Sequence, residues 1–95
     1  MKTSWTYITT NKPNGTIYVG MTAQLKERMH KHKTKKYKNS FSARYNCDQL
    51  VYFETFTDIN DAYAREKQLK AGSRAKKIKL IESLNPDWID LTDTL

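Results

Sequence analysis

The chain has 95 residues, of which 38% are hydrophobic and 12% aromatic, enough for one small hydrophobic core and no second one. No apolar run approaches the ~20 residues of a membrane-spanning helix, and the N-terminus carries no secretion signal. The single cysteine, Cys47, excludes an internal disulfide and a zinc site built on cysteines. We therefore expect one cytoplasmic domain over residues 1–95 that does not contact a membrane.

The formal net charge of +7 is concentrated in two segments. Residues 31–44 carry six lysines and arginines and no acidic residue, and residues 65–79 carry seven against Glu66 alone. A phosphate backbone attracts such segments, which favours nucleic acid as the partner. The alternative is a solvated lysine-rich surface that serves only solubility. The candidate nucleic-acid-binding residues are Lys26, Lys31, Lys33, Lys35, Lys36, Lys38, Arg44, Lys67 and Lys70.

The first two predicted elements form a hairpin. "WTYIT" and "TIYVGM" are rich in aromatic and β-branched residues, which is typical of strands. The intervening "NKPNG" has the residues of a turn, so a β-hairpin is predicted.

Alternation along the hairpin separates its two faces. If Ile8 joins the core, Tyr7 and Tyr18 both lie on the opposite face and close to each other. We expect Gly20 to leave open space beside the two phenols.

The next element is a helix that begins near Thr22, a plausible N-cap, and ends in the lysine-rich run "HKHKTKKYK". Leu25 and Met29 form its apolar stripe, while Arg28 and His32 fall on the same stripe. His30 points away from them and is assigned to the solvated side of the helix.

"LVYFETFT" is the strongest strand signal, and it is apolar on both faces. A second helix follows, capped by Asp58 or Thr57, with an apolar stripe that includes Ile59, Ala62, Glu66 and Leu69.

Gly72 ends the second helix, and Ser73 caps a third helix whose stripe includes Ile78, Ile81 and Leu84. Pro86 stops this helix after Asn85. The order β-β-α-β-α-α predicts an α/β (more narrowly α+β) fold, with helices packed on a small, three-stranded, mainly antiparallel sheet.

Several polar residues interrupt the inward-facing patterns. Arg28, His32 and Glu66 lie on helix stripes, and the third helix ends at Asn85. A buried salt bridge, such as Arg28 with Glu66, or an arginine that extends to solvent would explain some of them. Five or six such residues in one small domain favour a functional site, because natural sequences break patterning mainly there.

Several segments, in order along the chain, resemble the GIY-YIG nuclease family. "TIYVG" resembles the second half of the family signature, with Tyr18 at its tyrosine, and Tyr7 stands eleven residues earlier, where the first tyrosine belongs. "LKERMHKH" resembles the family helix, with Arg28 and His32 at its arginine and histidine.

Two later segments extend the resemblance over essentially the whole chain. "AREKQLK" resembles the segment that holds the metal-binding glutamate, here Glu66, and "LIESLNPDWIDL" resembles the closing motif of the short, stand-alone branch, with Asn85 at its asparagine. The first signature departs from the family, because it reads Trp5-Thr6-Tyr7 and not Gly-Ile-Tyr.

The resemblance implies hydrolysis of DNA phosphodiester bonds by an endonuclease that uses one divalent ion, Mg²⁺ or Mn²⁺, on Glu66. Glu66 is the only carboxylate that the motifs offer, so the ion would keep most of its waters. The residues at the family's functional positions are Tyr7, Tyr18, Arg28, His32, Glu66 and Asn85.

The roles implied for these residues differ. Tyr7 is preferred over Tyr18 as the general base, with Arg28 favouring its ionised form and holding the phosphate. His32 would orient the water or relay its proton. Asn85 ties the third helix to the site more plausibly than it performs chemistry.

Aromatic residues among the lysines favour single-stranded, flapped or branched DNA over plain duplex, because unpaired bases stack on rings. These residues are Tyr37, Phe41 and Tyr45, although one or two could instead pin the loop to the core. Two alternatives to the nuclease stay open: a catalytically silent nucleic-acid-binding module, and a subunit that a protein partner delivers to DNA in repair or recombination.

Overall fold

The structure is a computed structural model, and it describes residues 3–34 and 46–95. The described residues form three strands and three helices in the predicted order, followed by a 3₁₀ turn at Thr92–Thr94. In chain order they are β1 (Ser4–Thr10), β2 (Ile17–Thr22), α1 (Leu25–Lys33), β3 (Gln49–Phe56), α2 (Ile59–Ala71) and α3 (Arg74–Leu84). The strands are antiparallel in the order β2-β1-β3, which confirms the predicted α+β architecture.

One face of the sheet, called the core face, carries Ile8 and its cross-strand partner Val19. Helices α2 and α3 cover this face with Leu69 and Ile81, and the resulting buried cluster also holds Val51, Tyr52 and Trp88. Burying large apolar side chains is the main stabilising contribution to a domain of this size.

The opposite face, called the site face, carries Tyr7 and lies under α1. Its buried cluster consists of Tyr7, Leu25, Met29 and Leu50, with Tyr18 packed against it. The hairpin alternation therefore sorts the two faces as predicted.

A bulge in β3 explains why this strand is apolar at successive positions. Ile8 lies opposite Tyr52 and Thr9 opposite Leu50, so Val51 is an extra residue in the pairing. An extra residue changes the side-chain alternation, and Val51 and Tyr52 both join the core-face cluster.

The helix N-termini differ partly from the sequence prediction. Helix α1 begins at Leu25, since Thr22 is the last residue of β2 and its Oγ1 accepts a hydrogen bond from the backbone N–H of Gln24 at 3.0 Å. The predicted caps of the other two helices are correct: Asp58 accepts from Asn60 N–H, and Ser73 accepts from the N–H three residues later.

Two residues predicted to be buried are exposed at the helix ends. Ile59, the first residue of α2, is 45% exposed, and Leu84, the last residue of α3, is 75% exposed. The apolar stripe is therefore correct in the interior turns and wrong at the ends, where each helix passes the limit of the buried cluster.

The segment after α3 covers part of the outer edge of β3. Asn85 donates through Nδ2 to the carbonyls of Val51 (3.0 Å) and Ile89 (2.8 Å), and Asp90 accepts from Leu50 N–H at 3.1 Å. An uncovered strand edge invites pairing with other chains, so this segment protects the sheet. In the part of the chain that the structure describes, no helix is long and apolar enough to cross a membrane.

Candidate active site

Three rings meet on the site face. The ring centroids of Tyr7 and Tyr18 are 6.3 Å apart, and His32 lies 5.9 Å from Tyr7 and 5.8 Å from Tyr18. The Tyr7 hydroxyl and His32 Nε2 are 3.1 Å apart, a buried hydrogen bond between residues 25 positions apart in the chain. The ring cluster, defined as Tyr7, Tyr18 and His32, joins β1, β2 and α1.

Gly20 determines where the Tyr7 ring lies. Gly20 is the cross-strand partner of Tyr7, and a Cβ added to it would approach Tyr7 Cζ and Oη to 2.6 Å. The expected open space beside the phenols is therefore wrong, because the end of the Tyr7 ring occupies it. A glycine is needed here so that the phenol can cross the neighbouring strand and reach His32.

The two phenols differ in their contact with solvent. Tyr7 is 0% exposed, whereas Tyr18, on edge strand β2, is only partly buried. Solvent therefore reaches the ring cluster through Tyr18.

His32 is 5% exposed, and its environment keeps it neutral. Burial and, to a smaller extent, the nearby Arg28 charge lower the pKa of His32 to about 4, although the Asp48 charge acts in the opposite direction. A neutral imidazole has one nitrogen that accepts a hydrogen bond and one that donates. In the tautomer that carries its proton on Nδ1, neutral His32 accepts the hydrogen bond of the Tyr7 hydroxyl at Nε2.

Helix α1 presents the predicted residues to the ring cluster. Leu25, Met29 and His32 are buried, Arg28 is partly buried, and His30 is exposed. Arg28 lies one turn before His32, close enough for its charge to shift the His32 pKa. The predicted orientation of this helix is confirmed.

Sequence reasoning missed Asp48 as a neighbour of His32. It follows the buried Cys47 just before β3 begins, and its carboxylate raises the pKa of His32. Asp48 is therefore a second carboxylate near the site, in addition to Glu66, the one that the motifs offer. No motif marks Asp48, and only the fold brings it towards α1.

Glu66 lies on α2, and its side chain is 18% exposed. Its carboxylate is 3.2 Å from the ammonium group of Lys70, one turn later on the same helix. Because Lys70 itself is 54% exposed, solvent screens this pair and it is a weak restraint on the carboxylate.

The rotation of α2 about its axis is fixed by Arg65, the residue before Glu66. Arg65 donates from Nη2 (2.9 Å) and Nε (3.0 Å) to Oε2 of Glu54 on β3, and these hydrogen bonds raise the pKa of Arg65. Successive helical residues are about 100° apart, so Arg65 and Glu66 lie on opposite sides of the buried stripe at Ala62 and Leu69. With strand order β2-β1-β3, the Glu66 side of α2 is the side away from β3. The helix lies on the core face, whereas Tyr18 lies on the site face.

A buried hydrogen bond holds α2 against β1. The Thr6 hydroxyl donates to the backbone carbonyl of Ala62 at 2.8 Å, and both residues are 0% exposed. In an α-helix the carbonyl of residue 62 also accepts the N–H of residue 66. Thr6, directly before Tyr7, thus ties the turn that carries Glu66 to the strand that carries the first phenol.

Asn85 contacts the backbone of β3 and of the segment that follows α3. Both of its amide hydrogens donate to backbone carbonyls, and its Oδ1 accepts from Ile89 N–H at 3.0 Å. These contacts favour the predicted tying role over a chemical one.

Comparisons with known proteins agree with this geometry. A family model described as the GIY-YIG catalytic domain matches residues 3–79. The chain belongs to the GIY-YIG family. The match spans both tyrosines, helix α1 and Glu66, and it ends before Asn85.

Relatives of similar size support the family assignment. A UPF0213 protein of Syntrophus aciditrophicus is 32% identical over 72 residues, which cover 76% of this chain and 82% of the relative. A UPF0213 protein of Staphylococcus saprophyticus is 36% identical over 72 residues (72% and 82%), and one of Pediococcus pentosaceus is 35% identical over 69 (73% and 72%). No solved structure matches the chain.

GIY-YIG proteins are nucleases that act on DNA, and the predicted DNA-contacting residues of this member fall into three groups. Lys26, Lys31, Lys67 and Lys70 are exposed. The ammonium group of Lys33 is bound to Asp90 (2.7 Å) and to the Asp48 carbonyl (2.9 Å), which favours a structural role. The remaining predicted residues lie outside the described part of the chain: Lys35, Lys36, Lys38, Arg44, and the aromatic residues Tyr37, Phe41 and Tyr45.

The divalent ion expected on Glu66 stays a prediction. Over residues 3–34 and 46–95, no three or more His, Cys, Asp or Glu side chains converge as a metal cage. Glu66 therefore offers one carboxylate, which is the way proteins commonly bind Mg²⁺ beside a substrate phosphate.

Proposed function

We propose that this protein is a DNA endonuclease that hydrolyses phosphodiester bonds with the ring cluster, Arg28 and Glu66. The observation that supports this most strongly is the buried hydrogen bond between Tyr7 and a neutral His32, beside a half-exposed Tyr18 and within reach of the Arg28 charge. Burying polar groups costs stability. Natural sequences accept such a cost mainly at functional sites.

The proton path runs through the phenols. The oxygen of a water molecule attacks phosphorus, and the water proton passes to the oxygen of a tyrosine in its ionised form. The bond from phosphorus to the 3′-oxygen breaks, and the leaving 3′-oxygen takes a proton from solvent. The sequence favours Tyr7 as this base, and that stays a prediction. Burial favours Tyr18 as the phenol that meets the water, with the Tyr7–His32 pair holding it in place.

Arg28 would hold the phosphate group directly, and Glu66 would act on it only through a divalent ion. A guanidinium can hold two phosphate oxygens at once, and Arg28 is the half-buried guanidinium next to the ring cluster. A divalent ion on Glu66 would polarise the scissile phosphate and stabilise the leaving oxygen. Lys70 would then release the Glu66 carboxylate and become available to a phosphate.

A single cleavage assay tests this proposal. Labelled single-stranded, duplex, flapped and branched DNA, with RNA as the control, are each incubated with Mg²⁺, Mn²⁺ or a chelator. We expect metal-dependent cleavage of DNA, with single-stranded or branched substrates preferred. Glu66→Gln should lower the rate at least about a thousandfold, because several kcal/mol of stabilisation is lost, and DNA binding should remain.

His30→Ala is the matched control, because His30 lies on α1 and is exposed. It should cleave as the parent protein does. Wild-type protein that binds all of these DNAs and cuts none would overturn the nuclease proposal and favour the silent binding module. Cleavage restored by a cell extract would instead favour the partner-dependent subunit.

A further inference from the structure

Helix α2 carries an exposed aromatic residue one turn from Glu66. Tyr63 is 49% exposed and Ile59 is 45% exposed. Together with Glu66 and Lys70, these residues are spaced four, three and four positions apart, so they share one side of the helix. This set of four residues is called the α2 shoulder.

The α2 shoulder lies on the side of α2 that points away from β3. The hydrogen bond of Arg65 to Glu54 directs the Arg65 side of α2, which lies opposite the α2 shoulder, towards β3. The hydrogen bond of Thr6 to Ala62 holds the helix against β1. With both restraints in place, Tyr63 lies one turn from Glu66 on the same side of the helix.

We propose that Tyr63, supported by Ile59, stacks an unpaired nucleobase of a DNA strand whose flanking phosphates contact Lys67 and Lys70. This inference rests on the proposed function, and it names the substrate feature that the site recognises. Proteins that stack unpaired bases on aromatic rings also bring cations to the flanking phosphates, which is the second requirement of such a site. Lys67 and Lys70 are exposed, four and seven positions after Tyr63, and they meet this requirement.

Charge and size distinguish a nucleotide from a protein partner at this position. A stable protein interface buries about 800 Å² on each partner, which is more than two side chains offer. The carboxylate of Asp61 projects from a different side of the helix, two positions before Tyr63, so it does not separate the ring from the two lysines. A single base with its phosphates therefore fits the shoulder best.

The test is DNA binding with the metal chelated, so that its outcome does not depend on cleavage. Three labelled DNAs are compared by fluorescence anisotropy: a single-stranded oligonucleotide, the same oligonucleotide with abasic sites at successive positions, and a blunt duplex. Tyr63→Ala should weaken binding to the intact single strand by about 5- to 150-fold, the range for loss of one stacked base. Tyr63→Phe should keep binding within about twofold of the parent protein.

The abasic series locates the effect on the DNA. At one position, removal of the base should weaken binding to the parent protein and leave binding to Tyr63→Ala unchanged. Binding to the blunt duplex should be the same for both proteins. Leu84→Ala is the matched surface control, since Leu84 is exposed but lies on α3, and it should bind all three DNAs like the parent protein.

Three results would overturn the inference: unchanged binding by Tyr63→Ala, equal weakening on single strand and duplex, or a change in sedimentation that shows a protein interface. A melting temperature close to that of the parent protein confirms that Tyr63→Ala folds. A protein that stacks the base but never cleaves DNA would contradict the nuclease proposal while leaving this inference intact.

Discussion

The two faces of the sheet are built from alternate residues of the same strands, yet they are organised differently. The core face joins Ile8 to side chains such as Ile81 and Trp88 in a predominantly apolar cluster. The site face joins Tyr7 to Leu25 and Met29, but it also holds a buried histidine and two phenols. The comparison teaches that one strand can stabilise the domain on one side and position reactive groups on the other.

The largest difference between the faces should appear when one side chain is removed from each. Arg28→Ala removes the proposed phosphate contact, and loss of one such donor typically lowers kcat by about 100- to 1,000-fold. Arg28 is only partly buried, so the free energy of unfolding should change little. Steady-state kinetics and urea unfolding measure the two quantities on the same preparation.

Ile81→Ala is the counterpart on the core face. Ile81 is 0% exposed, and truncating such a residue costs about 2–5 kcal/mol of unfolding free energy. The kcat of the folded fraction should stay close to that of the parent protein. Full activity in Arg28→Ala would remove the functional distinction between the faces.

The pH dependence of stability should come largely from the site face. The pKa of His32 is about 4 in the folded protein and about 6.5 in an unfolded chain. The unfolded state therefore binds more protons between these values, so the stability from neutral His32 is present above pH 6.5 and lost as the pH falls towards 4. The expected loss is about 2–3 kcal/mol.

Urea unfolding at pH 7, 5.5 and 4.5 measures this loss, and His32→Gln should flatten the curve over that range. Asp90 gives a contrasting signal. Burial acts to raise the pKa of Asp90, but hydrogen bonds from Lys33, Thr92 and Leu50 lower it overall, so its contribution is lost only at still lower pH. A wild-type curve that is flat from pH 7 to 4.5 would contradict the assignment of a neutral, buried His32.

Gly20→Ala tests whether the Tyr7 ring is confined. The new methyl group would lie 2.6 Å from the end of a fully buried ring, and overpacking of this kind costs about 1–3 kcal/mol. We expect a lower melting temperature, altered near-UV circular dichroism of tyrosine and reduced cleavage. Gly72→Ala is the control, since its nearest contact would be 3.5 Å and its φ is −75°, so its stability should change by less than about 1 kcal/mol.

The sequence predicts the strands, the helix order and the sorting of Tyr7 and Tyr18 because these depend on local alternation and periodicity. It predicts the inward direction of Arg28 and His32 for the same reason. It misplaces the start of α1 and the burial of Ile59, because capping and the extent of the core are settled by tertiary contacts. Asp48 was missed because only the fold brings it near His32.

The sequence does not predict that the space beside Gly20 is filled, because a glycine leaves room equally for solvent, a ligand or a neighbouring ring. The register of the hairpin decides between these, and it places Tyr7 opposite Gly20. Patterns therefore predict which residues share a face, while distances across that face require the fold.

The smallest effect should come from Thr6, whose hydroxyl joins strand β1 to helix α2. Thr6→Val keeps the shape of the side chain but removes the hydroxyl that donates to Ala62, which should cost about 1 kcal/mol of unfolding free energy. If this hydrogen bond positions Glu66, Thr6→Val should also raise the metal concentration for half-maximal cleavage. Thr6→Ser keeps the hydroxyl and should have the metal dependence of the parent protein. Thr10→Val removes a comparable hydroxyl that donates to the Lys12 carbonyl and should leave the metal dependence unchanged. The same shift in metal dependence in both valine variants would mean that Thr6 acts only through the stability of the whole domain. The threonine of the Trp-Thr-Tyr signature would then have no specific effect on the position of Glu66.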